Sequence, residues 1–166
     1  METSVSRKLV AVVGAALMAL AASTLGAGPA EATSSSAKWN LPGGDQWQVN
    51  AWHCGTYTKT CAWTTSVKLL GSNPSNAQRI KNRSELEAHG VSVSIEISKE
   101  PKATLVMTSK SLGQVTWTNT NSWIADLSGS MTPNWTTLWV STRSCGSGTV
   151  NGSIKVSEKC VYAGAA

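Results

Sequence analysis

From Val91 to Ser98 the chain reads VSVSIEIS, the cleanest alternation in the sequence. Val91, Val93, Ile95 and Ile97 fall on one face of an extended chain, and Ser92, Ser94, Glu96 and Ser98 on the other. A strand of this kind is apolar on one side only, so it needs a second layer over that side. Residues 47–53 and 60–70 precede it, and shorter runs of strand character follow at 103–108, 114–119, 122–127, 135–142 and 149–156. Turn residues separate these runs. The spacing predicts an all-β protein, an antiparallel β-sandwich of immunoglobulin-like type. Eight Trp and no Phe, on a background of Ser, Thr, Asn and Gly, fit that class. The segment 76–89 reads two ways. Asn76 and Gly90 would cap and stop a short helix, whereas Leu86 and Ala88 also suit a strand.

The N-terminal residues belong to a different kind of segment. Arg7 and Lys8 precede an apolar run from Leu9 to Gly28, and Ala30-Glu31-Ala32 supplies an A-x-A cleavage signal. Residues 1–32 therefore read as a Sec signal peptide, without a twin-arginine pair, and the mature protein is expected to be secreted and extracellular. No second apolar run of that length follows, so no membrane insertion is expected. Residues 33–46, TSSSAKWNLPGGDQ, have no periodicity and read as an extended N-terminal arm, with Trp39 and Leu41 as apolar anchors. The β-sandwich domain is assigned to 47–166. The formal charge is +5, but it is scattered. The densest basic patch, Arg79 to Arg83, is followed at once by Glu85 and Glu87, which argues against a nucleic-acid partner.

Four cysteines in an exported chain are first of all two disulfides. Of the three pairings, the local one joins Cys54 to Cys61 and Cys145 to Cys160. If Cys54 and Cys61 face each other across a hairpin, Trp52 faces Trp63 on the bridge's side, and His53 and Ala62 point the other way. The second pair is less regular. An Asn151-Gly152 two-residue turn would set Cys145 opposite Glu158. Two extra residues must then be absorbed, with Gly146 and Gly148 as candidate bulge residues, or the pairing is a different one. Loop closure predicts roughly 2.5 kcal/mol for the shorter bridge and about 3 kcal/mol for the longer.

Chemistry is hard to find in these residues. The C-x6-C spacing is wrong for zinc, and His53 and His89 stand far apart, so no metal or cofactor is expected. A nucleophilic hydrolase would have to draw on His53 or His89 with Asp45 or Asp126. A carboxylate-pair hydrolase would have to draw on Glu85 with Glu87, or Glu96 with Glu100. No G-x-S-x-G elbow occurs, and no catalytic residue is assigned. The expectation is a non-enzymatic binding protein. Trp63, Trp117, Trp123 and Trp139 are expected in the core, and Trp39, Trp47 and Trp135 partly exposed. Exposed Trp serves either as a sugar platform or as a protein-interface anchor.

The Ala-rich signal and Ser/Gly-rich arm are followed by WHCGTYTKTC, GSNPSNAQRIKN and WTNTNSWIADLSG. In that order of features the chain resembles the small adaptor subunit of secreted umbrella-shaped toxin particles from actinobacteria. The resemblance implies a β-sandwich joining a lectin-like subunit to the stalk of a large toxin polypeptide, with the arm in a groove on that stalk. The partners would be larger secreted proteins of the same complex. Trp39, Leu41, Trp47 and Tyr57 are the expected partner-binding residues. The alternatives are a carbohydrate-binding module and a protease inhibitor presenting Tyr57 and Lys59 from the loop closed by Cys54 and Cys61.

Overall fold

The segment that reads two ways is a strand. Along Ala77–Ala88 the residues Ile80, Asn82, Ser84, Leu86 and Ala88 are buried, and Lys81, Arg83, Glu85 and Glu87 between them are partly exposed. Its period is two, and the two polar side chains in the middle of its buried face explain why the pattern is faint. The computed structural model describes residues 33–55, 59–71 and 76–164. The expected signal peptide and Tyr57 lie outside these residues.

Ten strands follow in order: β1 (Thr33–Asn40), β2 (Gln46–His53), β3 (Cys61–Leu70), β4 (Ala77–Ala88), β5 (Val93–Lys99), β6 (Thr104–Met107), β7 (Leu112–Ser122), β8 (Ile124–Pro133), β9 (Val140–Val150) and β10 (Ile154–Ala163). One sheet has the order β1-β2-β3-β8-β5 and the other β10-β9-β4-β7-β6. Every pairing is antiparallel, so the all-β antiparallel sandwich expected from the spacing is the fold. Both disulfides are formed, Cys54–Cys61 and Cys145–Cys160, as bridges of an oxidising compartment. No helix among the described residues is long and apolar enough to cross a membrane.

Residues 33–40 are extended, but they are not a free arm. They form edge strand β1, paired with β2 from Thr33↔His53 to Asn40↔Gln46. Trp39 is half-buried against the core, and so is Leu41 in the turn that Leu41 N–H and the Asp45 carbonyl close at 2.8 Å. The half-buried positions of β1 are Thr33, Ser35, Ala37 and Trp39, and the first three are small or polar, which is why hydropathy does not reveal the alternation.

Two apolar clusters fill the space between the sheets. One gathers Trp47, Val49, Val67, Leu69, Ile80 and Val150; the other gathers Trp63, Leu86, Val115, Leu127, Met131 and Val140. Trp117 packs against both. Near Thr65, on the inner face of β3, a buried polar group forms. Asn82 Nδ2 donates to Thr65 Oγ1 at 3.0 Å and to the Ala125 carbonyl at 3.2 Å. Ser144 Oγ donates to Asn82 Oδ1 at 3.2 Å, and the hydroxyls of Thr65 and Ser84 are 2.6 Å apart. Each polar group gains a partner here, as burial requires.

Trp47 is fully buried, which corrects the expectation that it is partly exposed at a partner surface. It lies across the sandwich over two glycines of β9. A Cβ on Gly148 would stand 2.6 Å from Trp47 Cη2 and 2.4 Å from the Arg79 carbonyl oxygen, and one on Gly146 would stand 3.0 Å from Trp47 Nε1 and 2.6 Å from Val67 Cγ1. These glycines make room for an indole; they do not form the bulge. The two residues that separate Cys145 from a simple hairpin register are absorbed elsewhere. One enters the turn, where Val150 pairs with Ile154 across a three-residue loop, and one enters β10 as a bulge between Val156 and Lys159. Asn151 and Gly152 take positive φ in that loop.

Overpacking costs of about 1–3 kcal/mol are typical where a buried methyl has no room. Gly148→Ala is therefore expected to lower stability by roughly that amount in a urea titration at unchanged slope. Trp47→Phe should recover part of the loss in the double variant.

Candidate functional site

The hairpin that carries the first disulfide has a register one residue from the expected one. Cys54 N–H bonds to the Ala62 carbonyl, and the strand pairs are His53↔Trp63, Trp52↔Thr64 and Ala51↔Thr65. A one-residue slip moves every side chain to the other face. Trp52 is thus on the outer face and partly exposed, while His53 and Trp63 point into the sandwich. This corrects the pairing of Trp52 with Trp63. The cause is that Cys54 is already past the end of β2, so the bridge to Cys61 runs diagonally to the ladder.

His53 is fully buried and encircled. Its Nδ1 is 2.6 Å from the Cys54 carbonyl, and its Nε2 is 2.5 Å from Thr33 Oγ1 and 3.2 Å from the Ala163 carbonyl. A carbonyl stands at each ring nitrogen, and the Thr33 hydroxyl shares Nε2 with that of Ala163. No ring nitrogen is left for a substrate.

The same end of the molecule carries a loop that strand propensity misses. Residues 135–142 read as a strand, yet β9 begins at Val140. Asn134 bends the chain instead: its Oδ1 accepts from Thr136 Oγ1 and Thr137 Oγ1 at 3.0 Å each, and its carbonyl accepts from Thr137 N–H at 3.1 Å. Backbone bonds then lock the loop to the β4–β5 connection. Asn134 N–H bonds to Ser92, Leu138 N–H to His89, and His89 N–H to Trp139. The Trp139 ring stacks on His89 with centroids 4.7 Å apart. Trp135 is left 87% exposed, Leu138 70% and Val91 62%. The loop is therefore fixed at its base and apolar at its tip. Trp135 is exposed as expected, but Trp139 and Trp123, expected in the core, are both substantially exposed.

Trp123 lies at the opposite end, beyond the first residue of β8. With Leu69, Leu70 and Gly71 it lines an apolar notch of about 290 Å³, and its carbonyl accepts from Leu69 N–H at 2.8 Å.

The outer face of the second sheet is ionic. Arg83 pairs with Glu158 (2.6 Å) and with Glu85, and Arg143 reaches Glu85 at 3.3 Å. The hydrogen bonds that Arg83 donates to Glu158, reinforced by the charges of Glu158 and Glu85, raise the Arg83 pKa above its usual value. The hydrogen bond from Arg83, with its charge and those of Lys81 and Arg143, holds the Glu158 carboxyl below its usual value. On the first sheet Lys99 pairs with Asp126 at 2.5 Å, and this raises the Lys99 pKa.

The His/Asp hydrolase candidates are not assembled, whereas the carboxylate pair Glu85 and Glu87 lines one depression of the outer face. Asp126 is engaged by Lys99, and Asp45 sits in the 41–45 turn. His89 does meet a serine and a carboxylate, with Ser141 Oγ at 3.1 Å and Glu87 Oε2 at 3.6 Å, but both approach the same nitrogen, Nε2. A relay needs the hydroxyl and the carboxylate on opposite ring nitrogens. Glu96 accepts from Ser130 at 3.3 Å on the exposed side of β5.

These features define a two-disulfide β-sandwich with an apolar surface at each end. No family model matches the chain, and no curated protein matches it. Among solved structures it is similar to a collagen-binding domain from a Staphylococcus aureus adhesin, at 10% identity and a TM-score of 0.36, with 78% of this chain and 95% of that chain covered. A likeness at that level carries no argument for a shared activity.

Two outcomes follow from this geometry. Asn134→Ala removes two side-chain hydrogen bonds, worth on the order of 1 kcal/mol each, so hydrogen exchange at the Leu138 and His89 amides should accelerate while the strands stay protected. Glu158 has a lowered native pKa, so its contribution is complete above the ordinary glutamate pKa near ~4.3 and vanishes as pH falls through the native value. Its side chain is 42% exposed and screened, so Glu158→Gln should cost only a few tenths of a kcal/mol at neutral pH. Wild-type and variant melting curves should then converge on acidification.

Proposed function

We propose that the protein is an exported, non-enzymatic protein-interaction module, an adaptor that holds two larger secreted proteins of one complex. The observation that carries the reading is the exposed Trp135 on a loop pinned by Asn134 and His89. An exposed aromatic side chain on a backbone already held in place spares the cost of ordering the loop on binding, which is the profile of an interface anchor. Val91 and Leu138 extend the apolar surface around it. An adaptor also needs a second contact, and the Trp123 notch supplies an apolar surface at the far end of β3 and β8.

The finer reading is the small adaptor of an umbrella-type toxin particle, which would make its role one in antagonism between bacteria. It is supported by the resemblance of the motifs and by the two-ended layout. The contact surface differs from the one the motifs alone favour. Trp39 and Leu41 pack half-buried on the protein's own core and Trp47 is fully buried, so in this conformation the docking residues are Val91, Trp135, Leu138 and Trp123. Trp52 and Trp123 lie apart from the loop that carries Trp135 and Trp139, and the Trp139 ring is already covered on one face by His89.

A tagged chain recovered from culture supernatant should bring down larger secreted proteins. Trp135→Ala should lose one of them and Trp123→Ala another, with losses of at least about 2 kcal/mol in affinity for a hot-spot anchor. Recovery of the tagged chain alone would sink the adaptor reading.

A further inference from the structure

The outer face of the second sheet contains a depression of about 360 Å³ that neither Trp135 nor Trp123 lines. Glu85 and Glu87 enter it from β4, Ser141 and Arg143 from β9, Tyr162 from β10 and Leu112 from β7. Ladder pairs set the floor: Glu85↔Arg143, Glu87↔Ser141, Tyr162↔Arg143 and Glu87↔Leu112. One rung beyond, His89 contacts Ser141 and Glu87 and stacks on Trp139. Tyr162 stands 52% exposed at one side.

The lining selects a ligand by exclusion and by fit. Two carboxylates on neighbouring outward positions repel an anion. A hydrocarbon would strand the charged floor without partners. A bare cation finds Glu85 occupied, because its two oxygens already meet Arg83 and Arg143. A neutral ring bearing adjacent hydroxyls meets none of these objections. The Glu87 carboxylate accepts from its hydroxyls, the Arg143 guanidinium and Tyr162 phenol donate to its oxygens, and Tyr162 and Leu112 cover its C–H face. The volume matches the lower range of small-ligand sites. We propose that this depression binds a neutral saccharide, one or two rings at a time, independently of the contacts made by Trp135 and Trp123.

The test is an amide-shift titration of the purified, isotope-labelled protein with maltotriose, cellotriose and chitotriose. Sorbitol serves as an acyclic polyol and trilysine as a cationic probe. At least one trisaccharide should give saturable shifts confined to residues 85–89, 112, 141–143 and 162. Glu87→Gln, which keeps size and removes charge, and Tyr162→Ala should each weaken that binding about tenfold, equal to roughly 1.4 kcal/mol. Trp135→Ala should leave it unchanged, which separates this site from the adaptor surface. Both altered side chains are at least partly exposed, so melting temperature checks that the variants fold, and Glu87→Gln suffices if Tyr162→Ala does not. Absence of saturable shifts up to roughly 20 mM of every trisaccharide, beyond the ~1 mM that marks weak specific binding, would overturn the proposal. Binding retained in the folded variants would overturn it too, as would binding of trilysine or sorbitol in place of the sugars.

Discussion

The sandwich depends on one contact, the indole of Trp47 laid over Gly146 and Gly148. An indole is too deep for the gap between two sheets whose facing positions both carry side chains, since packed sheets sit only about 10 Å apart. The two glycines of β9 remove that conflict; within the first sheet Gly129, the ladder partner of Trp63, also leaves room for an indole, since a Cβ there would stand 2.9 Å from its ring. This complementarity explains how a protein without Phe fills its core with the largest side chain available. Close packing in such a core comes from pairing extremes of size, as dense interiors require.

A second constraint lies between the two apolar clusters. Asn82, Thr65, Ser84 and Ser144 exchange hydrogen bonds across the sheets, joining β3 to β4 and β9. Apolar contacts tolerate sliding, whereas Asn82 finds its partners only in one alignment of the two sheets. The group therefore specifies how the layers stack more than it adds to their attraction. The same residues hide the strand from a hydropathy reading, because Asn82 and Ser84 occupy positions where the pattern asks for Val or Ile.

Much of the fold is legible in the chain. The alternation in VSVSIEIS gives β5 except at its start, where Val91 stays outside the strand, and the local cysteine pairing is the observed one. The candidate site is less legible, for definable reasons. Trp and Thr at 135–139 favour strands, but Asn134 captures the two threonine hydroxyls and bends the chain. The signal available was Pro133-Asn134, a turn dipeptide at the head of the run. A hairpin closed by a disulfide does not have to place its cysteines opposite each other, so the face assigned to Trp52 and His53 was reversed. Glu85, Glu87, Arg143 and Tyr162 meet only through ladder register across β4, β9 and β10, which no local spacing encodes.

Thr33 and Ala163 both reach the imidazole of His53, so the outermost residues of edge strands β1 and β10 lie side by side. This has a mechanical consequence. A pull applied through those two residues would peel the edge strands from their ends, breaking ladder bonds one after another. A pull between the Trp135 loop and the Trp123 notch runs along β3 and β8 and loads their ladder bonds together, in shear. A molecule held at the Trp135 loop and the Trp123 notch would thus resist tension far better than one pulled through Thr33 and Ala163.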